Sequence, residues 1–200
     1  MTRLRTAIAV VVIALTLAAC DQEALRPKFQ ANKVTGANWG RDFELIDQNA
    51  VPRSVADYRG KVVLVFFGYT SCPDECPTTL AKMAQAVNRL GSDGDRVQGL
   101  FVSVDPARDT PAVLGQYVRA FHPKFVGLTA DQATIAATAK EFKVSYDSRN
   151  PDKSGIYIVD HNTVIFVFDG TGRLRLLTRA DMGVNAMVHD LNLLLQEIRT

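Results

Sequence analysis

Apolar positions along this chain follow two periods, and the switches between them mark out its elements. Residues Val62, Val63, Leu64, Val65, Phe66 and Phe67 form a run without a polar position, which predicts a strand buried on both faces. Leu80, Met83, Val87 and Leu90 then recur at helical spacing as far as Gly91, predicting an amphipathic helix and its stop. A second buried strand is predicted over residues 97–104. Val113, Leu114, Tyr117, Val118 and Phe121 mark a second helix, with Asp109 or Thr110 as its cap and Pro111 in its first position. A short strand over 125–128, a helix over 132–142 and a brief strand over 143–146 follow. Upstream, residues 43–46 and 51–55 flank the turn signal Asp47-Gln48-Asn49-Ala50 and predict a small N-terminal hairpin. Downstream, residues 155–159 and 164–168 are expected to pair as a late β-hairpin that carries His161 at its tip or shoulder. Asp169-Gly170-Thr171-Gly172 turns into residues 174–177, and residues 184–198 close the chain as a helix. Strands alternating with helices predict a layered α/β domain with an antiparallel part.

The first residues follow neither period. Met1-Thr2-Arg3-Leu4-Arg5 precedes an apolar run over residues 7–19 and then Cys20, the layout of an export signal too short for a comfortable membrane span. Leu17-Ala18-Ala19-Cys20 resembles the lipobox of bacterial lipoproteins, which implies cleavage after residue 19, acylation of Cys20 and firm attachment to a bilayer. The expected organisation is a signal peptide over 1–19, a linker over 20–40 and one domain over 41–200. A chain of 200 residues, 47% hydrophobic, can bury one core of this size, and no repeat suggests a second. The formal charge of +2 comes from Arg3 and Arg5 and falls to zero without the signal. No basic cluster remains to suggest nucleic acid.

The chemistry concentrates where the first core strand ends, in Gly68-Tyr69-Thr70-Ser71-Cys72-Pro73-Asp74-Glu75-Cys76-Pro77. Cysteines four apart on one helical turn share a face, close enough to hold one metal ion or to form a strained disulfide. Cys72, at or before the first turn, sits where the helix dipole favours a thiolate. Pro73 and Pro77 are compatible with a helix that begins here. A bridge across so short a loop would stabilise little, so a purely structural disulfide explains the pair poorly. Two thiolates with an imidazole suit copper(I) and admit copper(II). Zinc would accept the same set with Asp160 or water as a fourth ligand.

Several motifs, in order, carry a more specific resemblance. They are Gly60-Lys61 before the core strand, Phe67-Gly68-Tyr69-Thr70 with the Cys72 and Cys76 pair, Asp105-Pro106-Ala107-Arg108-Asp109-Thr110-Pro111, and Tyr157-Ile158-Val159-Asp160-His161. Together they span almost the whole expected domain, and the chain resembles the Sco/SenC family of copper proteins that assemble cytochrome c oxidase. The resemblance implies a thioredoxin-like fold, a central mixed sheet flanked by helices. It also implies copper ligands at Cys72, Cys76 and His161, with Asp160 beside the histidine and Asp74 between the cysteines. In that fold the loop that carries His161 faces the cysteine turn. Glu75, Ser71 and Asn162 depart from the residues usual in the family.

The implied function is a membrane-anchored chaperone that binds one copper and delivers it to the binuclear copper centre of the oxidase. The alternative is a thiol-disulfide oxidoreductase, in which Cys72 attacks a partner disulfide and Cys76 resolves it. Three intervening residues, where thioredoxin-type reductases have two, favour copper; a peroxidase using Cys72 lacks any oxidant-binding motif. Expected partners are the oxidase copper-centre subunit, a periplasmic copper donor and a thiol reductant. The expected location is the bacterial inner membrane, as a lipoprotein facing the periplasm. His122 and His189 are expected at the surface, and Met182 and Met187 in packing roles.

Overall fold

The computed structural model describes residues 28–148, 159–161 and 163–198. Among them, the strands are β1 (Asn32–Lys33), β2 (Leu45–Asp47), β3 (Pro52–Arg53), β4 (Val62–Gly68), β5 (Val97–Ser103), β6 (Val126–Thr129), β7 (Tyr146–Ser148), β8 (Val159–His161), β9 (Val164–Phe168) and β10 (Leu174–Arg179). The α-helices are α1 (Glu75–Arg89), α2 (Pro111–Phe121), α3 (Gln132–Glu141) and α4 (Val184–Glu197). An eight-stranded sheet runs in the order β1-β10-β9-β4-β5-β6-β2-β3. β4, β5 and β6 are parallel, while β9 and β2 flank them antiparallel. Helices cover both faces, the thioredoxin-like arrangement that the motifs imply.

Alternate residues of β4 build the two halves of the core. Val62, Leu64 and Phe66 face Leu80 and Met83 of α1, Leu114 and Val118 of α2 and Leu191 and Leu194 of α4. Val63, Val65 and Phe67 face Ile135 and Ala139 of α3 together with Phe142, Phe166 and Phe168. A strand with helices on both sides has no polar position to spare, which is why its sequence is a continuous apolar run. Gly91 ends α1 in the left-handed region at φ 59°, a conformation that glycine adopts without a Cβ clash. Thr110 caps α2, accepting from the Val113 N–H, with Pro111 behind it; Asp131 caps α3.

Three boundaries differ from the sequence reading. From Ala31 on, the predicted linker is built into the domain: Ala31 is buried, β1 pairs with β10, and Asp190 accepts hydrogen bonds from the Gln30 and Ala31 N–H groups at 2.8 and 2.7 Å. The late hairpin is β9 with β10, whereas β8 pairs with β7 in a separate two-stranded sheet. The brief strand predicted over 143–146 lies at Tyr146–Ser148, because Lys143 takes a positive φ of 54° and breaks extended backbone there. Residues 155–158 lie outside the described residues, as do the predicted signal and Cys20. The sheet closes at each edge with a two-residue strand, Asn32–Lys33 on one side and Pro52–Arg53 on the other.

Candidate functional site

β4 delivers the chain to the site and a tight turn reverses it. The Cys72 N–H donates to the Tyr69 carbonyl at 3.2 Å, and the Val104 N–H to the Gly68 carbonyl at 2.8 Å. Cys72 precedes α1, whose cap is Asp74, so only Cys76 lies in its first turn. The two thiols therefore meet across a turn into a helix and do not share a helical face. Pro73 accordingly lies outside the helix, and Pro77 occupies its first turn, where the missing N–H is tolerated.

The pair is asymmetric. Cys76 is fully buried and Cys72 half-buried, and both are thiols with no disulfide between them. Burial pushes the Cys76 thiol well above its ordinary value; the Cys72 side chain, within hydrogen-bonding reach, adds to this, and a hydrogen bond from the Tyr69 backbone N–H opposes it. Cys76 therefore keeps its proton at neutral pH until something displaces it. Gly68 makes room for this sulfur: a Cβ there would lie 2.6 Å from Cys76 Sγ and 2.8 Å from Phe101 Cε2.

Asp109 holds the turn from behind. Its carboxylate, fully buried, accepts from the Thr70 N–H at 3.0 Å, the Thr70 hydroxyl at 2.6 Å and the Ser103 hydroxyl at 2.6 Å. The Ser103 oxygen accepts from the Asp105 N–H, Asp105 pairs with Arg108, and the Arg108 guanidinium lies 5.6 Å from the Tyr69 ring centre. The segment read from sequence as capping and turn residues is thus a buttress for the cysteine turn, and Thr110 alone provides the cap. Gly68 and Ser103 are register partners in neighbouring parallel strands, so the Ser103 hydroxyl at one strand end and the Thr70 hydroxyl just past the other were the signal that an acceptor lay between them. Asp109→Ala should lower stability by about 3 kcal/mol, from three lost hydrogen bonds to a charged acceptor. Denaturant unfolding of the reduced, metal-free protein measures this.

His161 ends β8, its backbone paired with Tyr146; its imidazole lies outside the described residues, as does the Asp160 carboxylate. The register of β9 against β4 sets Ile165 opposite Phe66. The chain just ahead of Val164 therefore comes from the end of the sheet at which β4 runs into the cysteines. Among the described residues no group of three His, Cys, Asp or Glu side chains could hold a metal ion. Asp74 and Glu75 are exposed. A third His, Cys, Asp or Glu ligand to the two thiols would have to come from beyond the described side chains.

A model of the SCO1/SenC family matches residues 31–196. The chain belongs to this family. Its relatives include the SCO2-like protein of Rickettsia felis, 42% identical over 135 residues, which are 67% of this chain and 66% of that protein. Another is the mitochondrial SCO2 homolog of Mus musculus, 37% identical over 158 residues, 78% of this chain and 62% of that protein. The matched part is thus slightly under two thirds of each relative's length. Among solved structures, Bradyrhizobium japonicum ScoI with copper bound superposes with a TM-score of 0.71 at 37% identity, covering 78% of this chain and 98% of that one.

The remaining candidates in this SCO1/SenC chain are structural. His122, expected at the surface, is buried, its ring 4.9 Å from that of Phe125 and its Nδ1 accepting from the Lys124 N–H at 3.2 Å. Burial, and then the charge of Lys124, hold its imidazole below the ordinary value, so it packs as a neutral ring. His189 is part-exposed beside Asp190, its Nδ1 at 2.9 Å. Met187 lies in the core, and exposed Met182 accepts from the Thr178 hydroxyl at 3.5 Å. Among the described residues no helix is long and apolar enough to cross a membrane.

Proposed function

We propose that this protein is a membrane-anchored copper chaperone that binds one copper through Cys72, Cys76 and His161 and delivers it to the binuclear copper centre of cytochrome c oxidase. The observation that carries the reading is the unbridged thiol pair, one sulfur buried and one half-buried, held at the sheet end from which the His161 strand also comes. The fit is chemical: two sulfurs with an imidazole form a soft donor set that prefers copper(I) over harder ions. Copper bound to the Bradyrhizobium relative agrees with this choice. Acylated Cys20 would hold the domain at the inner membrane, facing the periplasm, where a copper donor and a thiol reductant would serve it. Copper is the cargo, and transfer is ligand exchange: the acceptor's thiolate replaces half-buried Cys72 before it reaches buried Cys76.

The same asymmetry supports a second reading as a thiol-disulfide oxidoreductase. The Cys72 thiolate attacks a partner disulfide, releasing one partner sulfur as thiolate and forming a mixed disulfide. Cys76 then loses its proton and attacks Cys72, releasing the second partner thiol and leaving a Cys72–Cys76 disulfide that an external thiol reductant must reduce.

A copper(I) competition titration of the reduced full chain in detergent separates the two readings. Chaperone function predicts one tightly bound copper per chain and an affinity at least about tenfold weaker in His161→Ala. Affinity indifferent to His161 removes the third ligand. Weak binding by the unaltered chain favours disulfide exchange.

A further inference from the structure

A groove of about 810 Å³ lies where β5 and β6 end. The β2–β3 hairpin contributes Leu45, Ile46 and Pro52 to its lining, and the segment between β5 and α2 contributes Pro106 and Pro111. Thr129, the last residue of β6, and Ala130 complete this apolar side. β4, β5 and β6 are parallel, so the cysteines follow the first of three adjacent strand ends and the groove opens at the other two. Ligands of open α/β sheets sit outside such carboxyl ends. Asp109 belongs to both places: it lines the groove, and its carboxylate holds Thr70 of the cysteine turn. A protein that reaches half-buried Cys72 therefore arrives beside the groove.

The charge of the groove is one-sided. Glu44, Asp57 and Asp131 line it and are exposed. Arg53, the one cation among the described residues of the lining, is already ion-paired at 2.8 Å with buried Asp47. Thr129 is 4% exposed, and its hydroxyl has no partner among the described residues, a polar group at the groove that the chain itself leaves unsatisfied. A bare metal ion would have no use for the prolines and aliphatic side chains. A neutral apolar segment would strip water from the carboxylates without pairing them. We propose that the groove is a docking site for the protein that exchanges copper with this chain, filled by a projecting segment of that partner in which a lysine or arginine is flanked by apolar side chains. The inference rests on the chaperone reading for the identity of the partner, and adds where and by what chemistry the partner is held while its thiolates reach Cys72.

The test is calorimetric binding of the reduced full chain, in detergent, to the purified copper-centre domain of the oxidase subunit. Glu44→Lys reverses one charge at the groove, and Asp95→Lys makes the same change in the turn that precedes β5, at the opposite end of the sheet. Glu44→Lys should weaken the complex about tenfold, because a partner cation then meets a like charge. Asp95→Lys should weaken it less than about twofold, and the unaltered complex should loosen as salt is raised. Equal affinity in Glu44→Lys, or the same loss in both variants, would overturn the groove as the docking site and leave the copper site standing. Self-association of the unaltered chain that Glu44→Lys abolishes would give the groove to a second copy and overturn the partner. An unaltered chain that takes up copper and does not bind the domain would overturn this inference together with the delivery step of the chaperone reading.

Discussion

Cys76→Ser should leave the domain folded and remove tight copper(I) binding altogether. Serine matches the shape of cysteine, and its hydroxyl oxygen can accept from the Tyr69 N–H that now reaches the sulfur. The cost to stability should stay at about 1–2 kcal/mol, that of burying a more polar group with partial compensation. A neutral hydroxyl does not ionise near neutrality and is a hard donor, so the remaining thiolate and imidazole hold copper(I) weakly. The same site fixes the pH dependence. Burial raises the Cys76 thiol, so below that raised value the metal-free form holds a proton that copper must expel. Apparent affinity should therefore climb as pH rises, by about tenfold per pH unit for each proton released. Competition titrations across the neutral range, in the unaltered chain and in Cys76→Ser, measure both effects. Tight binding that survives the substitution would remove Cys76 from the site.

Gly68→Ala should be the most damaging single methyl in the protein for this site. The added Cβ would meet Cys76 Sγ at 2.6 Å and Phe101 Cε2 at 2.8 Å, and both neighbours are fully buried. Neither can swing into solvent, and Gly68 is fixed on both sides of its strand end by pairing with Ser103 and by the hydrogen bond from Val104. Overpacking of this kind costs about 3 kcal/mol when the surroundings cannot yield. Relieving the clash would displace the Cys76 sulfur, so copper affinity should fall alongside stability. Thermal unfolding and copper(I) competition on the same preparation test this. A variant with ordinary stability and affinity would show that the turn is softer than its contacts imply.

The sequence made the scaffold legible where one force dominated. β4 and β5 are buried on both faces, and α1 and α2 repeat their apolar residues every three to four positions, so burial alone dictates their type. The two cysteines were read onto one helical face because proline is welcome in a first turn, and nothing local distinguishes Pro73 before the cap from Pro77 after it. β8 was misassigned for a related reason: residues 155–159 are apolar enough for a strand, but the choice between β7 and β9 as partner is made by distant pairing. The buttressing role of Asp109 escaped notice because aspartate before a Thr-Pro helix start has a sufficient local explanation as a cap, while its actual partners come from the ends of two other strands. His122 sits next to a proline in sequence, but the fold turns it inward against Phe125. For β8 and Asp109 the deciding partners are remote in sequence, which local patterns do not encode.

The two short edge strands have a colloidal consequence. With the proposed lipid anchor, copies would meet one another at high local concentration on the membrane, and an open sheet edge is the commonest template for unwanted self-association. Among the described residues, one rim offers only Asn32 and Lys33, with a charge on it, and the other only Pro52 and Arg53, with one backbone donor missing and a second charge. Neighbouring copies should therefore resist zipping sheet to sheet, which leaves the thiol end of the molecule open to encounters with a different protein.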